Sequence, residues 1–127
     1  MILSQAAMEH VEDLDETYLL MKKLLKDSGF ISHQIDFKSH GVTHSWDGHW
    51  TLSQNIIKIL KGKDKFLINR MPCSKHINIL DEYNFKHINV TRYFSEPTFA
   101  RDKLSPQFFL MTNLDRRTSG AFINAIK

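Results

Sequence analysis

The stretch Ser28-Gly29-Phe30-Ile31-Ser32-His33-Gln34-Ile35-Asp36 marks the point where a strongly patterned helix ends and an extended segment begins. Upstream of it, Asp13 followed three residues later by Glu16 gives the sequence signature of a capping box. Gly29 is placed to close the helix in the left-handed conformation. The spacing therefore predicts an amphipathic helix before this stretch and an extended segment within it.

The predicted helix has one apolar face, which includes Leu14, Tyr18, Met21 and Leu25. An isolated helix of this length buries too little surface to be stable in water, so this face needs a packing partner. Before the helix, residues 1–10 admit two assignments, a first helical turn or a strap across another subunit. The acidic residues near the helix start are interpreted as compensating the helix dipole; they are Glu9, Glu12, Asp13, Asp15 and Glu16.

Length and composition predict one small folded domain over residues 1–127. The net charge of +3 is compatible with nucleic-acid binding but does not require it. Cys73 is the single cysteine and has no partner for an internal disulfide, which favours a reducing compartment. Residues 1–8 do not resemble a signal peptide, and no apolar run has the length of a membrane span. We expect an intracellular protein, cytoplasmic or nuclear and not secreted, with no membrane partner.

Residues 36–50 contain two glycines and little periodicity, which predicts a loop. The loop is rich in histidine, so a metal site is an alternative, although the main expectation is that the chain binds none. A Cys-x-x-His pair further along the chain would complete a four-ligand zinc site with two loop histidines. The candidate ligands are His40, His44, Cys73 and His76.

A second helix is predicted from Thr51 to about Leu60, with Thr51 or Ser53 as cap and Gly62 as its stop. The most basic part of the chain begins near the C-terminal end of this predicted helix. Closely spaced cations gain affinity for nucleic acid by releasing counterions from phosphates, whereas the alternative is a solvated helix end. The candidate nucleic-acid-binding residues are Lys58, Lys61, Lys63, Lys65 and Arg70.

The second half of the chain predicts strands and one short helix. Residues 66–71 have the pattern of a strand, and residues 76–79 and 87–94 that of an antiparallel hairpin. Ser105 and Pro106 are typical of a helix start, and residues 121–126 of a final strand. The predicted fold class is α+β, with N-terminal helices packed on a small antiparallel sheet and a short helix and strand at the C-terminus.

Two separated stretches together resemble one family. Gly29-Phe30-Ile31-Ser32-His33-Gln34-Ile35-Asp36 after an amphipathic helix is similar to the start of the second-largest subunit of multisubunit DNA-directed RNA polymerases. Glu96-Pro97-Thr98, Leu104-Ser105-Pro106-Gln107 and Asn113-Leu114 resemble that family's Lys-Pro-Thr, Leu-x-Pro-Gln and Asn-Leu segments. Two departures from the family are Phe37-Lys38 in place of Ser-Phe and the loss of an arginine-bearing segment at residues 108–112.

The resemblance implies a divergent or split N-terminal protrusion, which in the family forms a wall of the polymerase cleft. It implies no catalytic residue and no cofactor in this chain, because the family places the metal-binding carboxylates in the largest subunit. The implied partners are other RNA polymerase subunits, together with DNA or an RNA–DNA hybrid at the basic residues. The docking residues would be Leu14, Tyr18, Met21 and Leu25.

Two rival functions come from different classes. A small protein that inhibits a host factor would use an exposed aromatic loop containing Trp46 and Trp50. A small metal-dependent hydrolase or nuclease would use the histidine-rich loop, with His40, His44, Asp47 and His49 as its functional residues.

Overall fold

The structure is a computed structural model that describes residues 1–63 and 67–127. In chain order its strands and α-helices are β1 (Ile2–Gln5), α1 (Leu14–Leu24), β2 (Phe30–Asp36), α2 (Gln54–Lys61), α3 (Cys73–Glu82), β3 (Lys86–Phe94), α4 (Asn113–Arg117) and β4 (Thr118–Ile126). Short 3₁₀ segments lie at Met8–His10, Gly48–Trp50, Arg101–Lys103 and Pro106–Phe108. Within the described residues, none of the helices has the length and apolar character needed to cross a bilayer.

The strands form one mixed sheet in the order β1-β2-β4-β3. The α+β class is confirmed. The sheet is not wholly antiparallel as predicted, because β1 runs parallel to β2 with Ile2 opposite Ile31. β4 lies between β2 and β3 and is antiparallel to both. Helix α1 connects the parallel strands β1 and β2, so these three elements form a β-α-β unit.

The start of α1 is confirmed, since the Asp13 side chain accepts a hydrogen bond of 2.8 Å from the backbone N–H of Glu16. The predicted closing residue is wrong, because α1 ends at Leu24 and its C-cap Leu25 is extended rather than left-handed. The left-handed residue is Ser28, with φ of 60°, in the turn that follows the helix. Gly29 is needed for a different reason, because a Cβ there would lie 2.7 Å from the carbonyl oxygen of Lys26.

The second predicted helix is confirmed as α2. Ser53 caps it by accepting a hydrogen bond from the N–H of Ile56, and Gly62 ends it with φ of 48°. The loop before it is also confirmed as irregular, with the 3₁₀ turn Gly48–Trp50 inside it.

Two predicted strands are wrong. Residues 67–71 have no regular secondary structure, and Phe66 lies outside the described residues. Residues 76–79 belong to helix α3, in which Cys73, His76, Ile79 and Leu80 are buried at helical spacing. The hairpin predicted between residues 76–79 and 87–94 therefore does not form, and β3 pairs with β4 instead.

At the C-terminus the final strand is confirmed and extends back to Thr118. The single short helix predicted from Ser105 is replaced by the 3₁₀ turn Pro106–Phe108 and the separate helix α4. Thr112 caps α4 by accepting a hydrogen bond from the N–H of Asp115.

One face of the sheet forms the core. The side chains of Ile31, His33 and Ile35 alternate onto this face and are almost completely buried. Both α1 and α3 cover it, because the Tyr18 ring lies 5.9 Å from that of His33 while the Tyr18 hydroxyl is hydrogen-bonded to His76 at 2.9 Å. The other alternating residues of β2 lie on the opposite face and are at least partly exposed; they are Phe30, Ser32, Gln34 and Asp36.

Candidate functional site at the carboxyl ends of β1 and β2

The carboxyl ends of β1 and β2 meet at one edge of the sheet because the two strands are parallel. After β1, Ala6 takes an unusual φ of 48° and its N–H donates to the carbonyl of Gln34 in β2 at 3.0 Å. The chain then makes the 3₁₀ turn Met8–His10. After β2 it turns back through His40, which also has φ of 48°. Non-glycine residues in this conformation store strain and are enriched at functional sites.

This arrangement brings Glu9, His10 and His40 together. One side-chain donor atom from each lies within 4.8 Å of the other two. The Nε2 atom of His40 is 3.8 Å from Oε1 of Glu9 and 3.7 Å from Oδ2 of Asp36. The His10 and His40 rings meet edge to face with centroids 5.1 Å apart. Two carboxylates and two imidazoles therefore converge where the parallel strands end.

Glu9 is the most unusual member of the cluster. It is only 3% exposed, and neither carboxylate oxygen accepts a hydrogen bond from another described residue. Burial raises the pKa of Glu9, and its own backbone N–H and the two histidines offset only part of that rise. A buried carboxylate that accepts no hydrogen bond from another described residue is costly, which marks Glu9 as a candidate for function rather than for stability.

Asn69 holds the Glu9 turn in place from a distant part of the chain. Its backbone N–H donates to the carbonyl of Glu9 at 2.7 Å. Its side-chain amide donates to the carbonyls of Met8 and Val11 at 2.8 and 2.9 Å. The backbone that carries Glu9 and His10 is thus fixed by three hydrogen bonds from one residue, which preorganises the site.

An open depression of about 680 Å³ lies beside the cluster. It is lined by residues of the segment that follows β2, including Asp36, Lys38, His40 and His44. Trp46 closes one side, and its indole N–H donates to the carbonyl of Glu96 at 2.9 Å. The depression is open to solvent and has charged and polar side chains in its lining, so a ligand there would be held mainly by polar contacts.

The alternative of a four-ligand zinc site is wrong, because the four predicted ligands do not lie together among the described residues. His40 belongs to the cluster described above, but Cys73 and His76 are buried inside α3 with 1% and 0% exposure. Burial raises the pKa of the Cys73 thiol to about 11, which keeps it protonated and unsuited to metal binding. His76 is instead hydrogen-bonded to Tyr18. His44 is exposed on the loop and is not part of the cluster.

The five basic candidates do not form one surface. Lys58 and Lys63 are exposed, whereas Lys61 pairs with Glu12 and Lys65 lies outside the described residues. Arg70 is wrong as a nucleic-acid contact, because it is 6% exposed and donates to the carbonyls of His49 and Leu52 and to the side chain of Gln54.

The predicted docking face of α1 is also wrong as a surface for a partner. Leu14 and Leu25 are 4% exposed and Tyr18 is fully buried, and Met21 packs against the same core. The partner that this helix face requires is the domain's own sheet and α3.

The tryptophans and the remaining loop residues have structural roles. Trp50 is 1% exposed and donates its indole N–H to the carbonyl of Arg70, so an exposed aromatic loop for an inhibitor is absent from the described residues 46–50. His49 and Asp47 are buried as well. Asp47 accepts a hydrogen bond of 2.7 Å from the N–H of Thr98, which ties the loop to the segment after β3. Of the hydrolase candidates, His40 alone joins the cluster.

Sequence reasoning missed Glu9 and His10 because they resembled part of the acidic start of α1. The useful signal was an acid–histidine pair directly after a short apolar segment. In this chain the pair follows the end of β1, and functional side chains of parallel sheets are found at such positions.

Comparisons with known proteins do not assign the chain to a family. No protein-family model matches it, and no curated protein is significantly similar to it. The polymerase-subunit identity therefore stays a prediction.

Proposed function

We propose that this domain binds a small polar ligand, for which nucleotide cofactors serve as the first probes. The binding crevice would lie beyond the carboxyl ends of β1 and β2, next to Glu9, His10 and His40. The observation that carries this proposal is the meeting of these three side chains where the two parallel strands end.

The winding of the chain supports the location of the crevice. The carboxyl ends of parallel strands meet at one edge of a sheet, and ligand sites of α/β sheets lie outside such ends. In this domain β1 and β2 are the parallel pair, and the turns that carry Glu9 and His40 follow their ends.

The cluster also supplies suitable chemistry. His40 lines the depression, and its Nε2 atom lies 3.8 Å from Oε1 of Glu9, which is buried behind it. We therefore assign His40 the contact with the ligand, and Glu9 the role of holding the His40 ring in place with a buried negative charge.

A cofactor titration followed by two-dimensional NMR tests the proposal. The probes are ATP, NAD⁺, FMN and S-adenosylmethionine, each added to the labelled protein. At least one is expected to shift the backbone amide signals of residues 6–10 and 37–40. Glu9→Gln is expected to weaken its binding by about 10-fold, equivalent to about 1.4 kcal/mol.

Glu82→Gln is the matched control, because Glu82 is an exposed glutamate at the end of α3. It should leave the affinity unchanged. If none of the four probes shifts those amides at concentrations of about 10 mM, or if both glutamine variants weaken binding equally, the proposed crevice is wrong.

The polymerase role stays a second candidate, supported by the exposure of Lys58 and Lys63 at the end of α2. If these lysines meet phosphates, the charge-reversed pair Lys58→Glu and Lys63→Glu should reduce the slope of log affinity against log salt by about 2 for duplex DNA. Filter binding across a salt series measures this slope. Lys103→Glu is an exposed control in another region, and an unchanged slope in the double variant would exclude both lysines from the interface.

A further inference from the structure

We propose that Glu9, His10 and His40 form a three-ligand site for a divalent metal ion of the zinc class. The donors are one carboxylate oxygen and one nitrogen from each imidazole, all within 4.8 Å of one another. Two histidines and one glutamate are a ligand set that zinc uses in catalytic sites, where a fourth position stays open for water or substrate.

The distances require little movement. In a tetrahedral site with bonds of about 2.1 Å, neighbouring donor atoms lie about 3.4 Å apart. The Glu9 Oε1 and His40 Nε2 atoms are already 3.8 Å apart. His40 lies on an exposed turn, so its ring can approach the fixed Glu9 carboxylate without disturbing the core.

A second observation points independently to a cation. The Glu9 carboxylate is 3% exposed, and neither of its oxygens has a hydrogen-bond partner among the other described residues. An ionised carboxylate in that setting is destabilising unless it is paired or bound to a metal. A metal ion between Glu9 and the two imidazoles would bind the carboxylate oxygens directly, whereas His40 lies 3.8 Å away, beyond hydrogen-bond distance.

The surroundings fit a metal site beyond the three ligands. Asp36 lies 3.7 Å from His40 Nε2 and adds a second negative charge that favours a divalent ion. Asn69 fixes the backbone of the Glu9 turn through its hydrogen bond to the Glu9 carbonyl. His40 also lines the depression of about 680 Å³, so the proposed ion would lie beside the space proposed for the ligand.

Metal titration of the purified protein tests the site. Isothermal titration with Zn²⁺ is expected to give one ion per chain, and Co²⁺ is expected to give the visible absorption of a tetrahedral complex. Glu9→Gln and His40→Gln should each weaken Zn²⁺ binding by about 100-fold, since even loss of a residue that only supports a ligand costs 10- to 100-fold. His44→Gln, an exposed histidine on the same loop, should change nothing.

Measuring stability in the absence of metal shows whether Glu9 is a metal ligand or a residue that the fold requires. In EDTA, the Glu9→Gln variant should melt at the same temperature as the wild type or higher, because it removes a buried charge. Added Zn²⁺ should raise the melting temperature of the wild type only. Failure of Zn²⁺ to bind, or equal binding by the wild type and both ligand variants, would overturn the metal site.

The metal site and the nucleotide crevice use the same edge of the sheet but can fail separately. Cofactor-induced shifts of the amide signals of residues 6–10 without zinc binding would disprove only the metal site. Zinc binding without any amide shift caused by the four cofactors would disprove only the proposal that the ligand is a nucleotide cofactor.

Discussion

Lowering the pH from 7 to about 5 is expected to cost this domain about 6 kcal/mol of unfolding free energy, a large fraction of the total of about 5 to 15 kcal/mol that is typical of native proteins. The cause is three buried neutral histidines, His33, His49 and His76, each at most 1% exposed. Burial lowers the pKa of His33 to about 4. It lowers the pKa of His49 to about 3, with a further contribution from the Arg70 guanidinium. It lowers the pKa of His76 to about 3 in the same way, helped by His33 and Lys75.

The direction follows from which state takes up protons. In the unfolded chain these imidazoles bind protons as the pH falls below 6.5, the ordinary pKa of the group, whereas in the native state they remain neutral down to a pH of about 3 to 4. The unfolded state therefore binds more protons across this window, and stability falls as the pH falls. Each histidine contributes about 2 kcal/mol at pH 5, because one pKa unit corresponds to about 1.4 kcal/mol.

Urea denaturation at a series of pH values measures the effect. The double variant Tyr18→Phe with His76→Leu removes both partners of one buried hydrogen bond and should reduce the loss between pH 7 and 5 by about one third. His87→Gln, an exposed control, should leave the loss unchanged. A stability profile that is flat from pH 7 to 5 would contradict the burial of neutral imidazoles.

Replacing Arg70 by Ala is expected to destabilise the protein by about 3 kcal/mol. The buried guanidinium donates hydrogen bonds of 3.1, 2.8 and 2.6 Å to His49, Leu52 and Gln54, and it lies over the Phe108 ring at 5.2 Å. Its loss leaves three acceptors without their donor and a cavity beside Phe108. Chemical denaturation at neutral pH measures the change.

Two companion variants define the role of Arg70. Arg70→Lys keeps the charge but not the planar fork of donors, so it should recover only a minor part of the lost stability. Lys63→Ala, at an exposed position of the same basic segment, should change stability by less than about 0.5 kcal/mol. A cost for Arg70→Ala as small as that of Lys63→Ala would show that the guanidinium is not part of the core.

The helices with local end signals were predictable from sequence. The Asp13–Glu16 cap of α1 and the Ser53 and Gly62 ends of α2 are interactions between residues close together in the chain. Helix α3 was mistaken for a strand because Ile77 and Ile79 alternate with polar residues. Its buried set at helical spacing includes Cys73 and His76, and a histidine is not an obvious core residue before its partner Tyr18 is known.

The sheet order and the candidate site depend on contacts between distant residues. The strand β1 has only four residues, too few for a periodic signal, and its parallel pairing depends on the crossover through α1. Glu9 and His40 are separated in the chain by α1 and β2, and they meet because β1 and β2 end at the same edge of the sheet. Sequence reasoning identified His40 as a candidate ligand but could not supply its neighbours.

The central claim is that the functional site of this domain lies at the carboxyl ends of β1 and β2. A library of small polar fragments, mapped by amide chemical shifts, compares this edge directly with the other large depression, of about 610 Å³, which includes Ile57, Met71 and Phe108. The account predicts that the largest shifts fall on residues 6–10 and 37–42. Shifts concentrated on residues 67–72 and 107–111, with residues 6–10 unchanged, would contradict it.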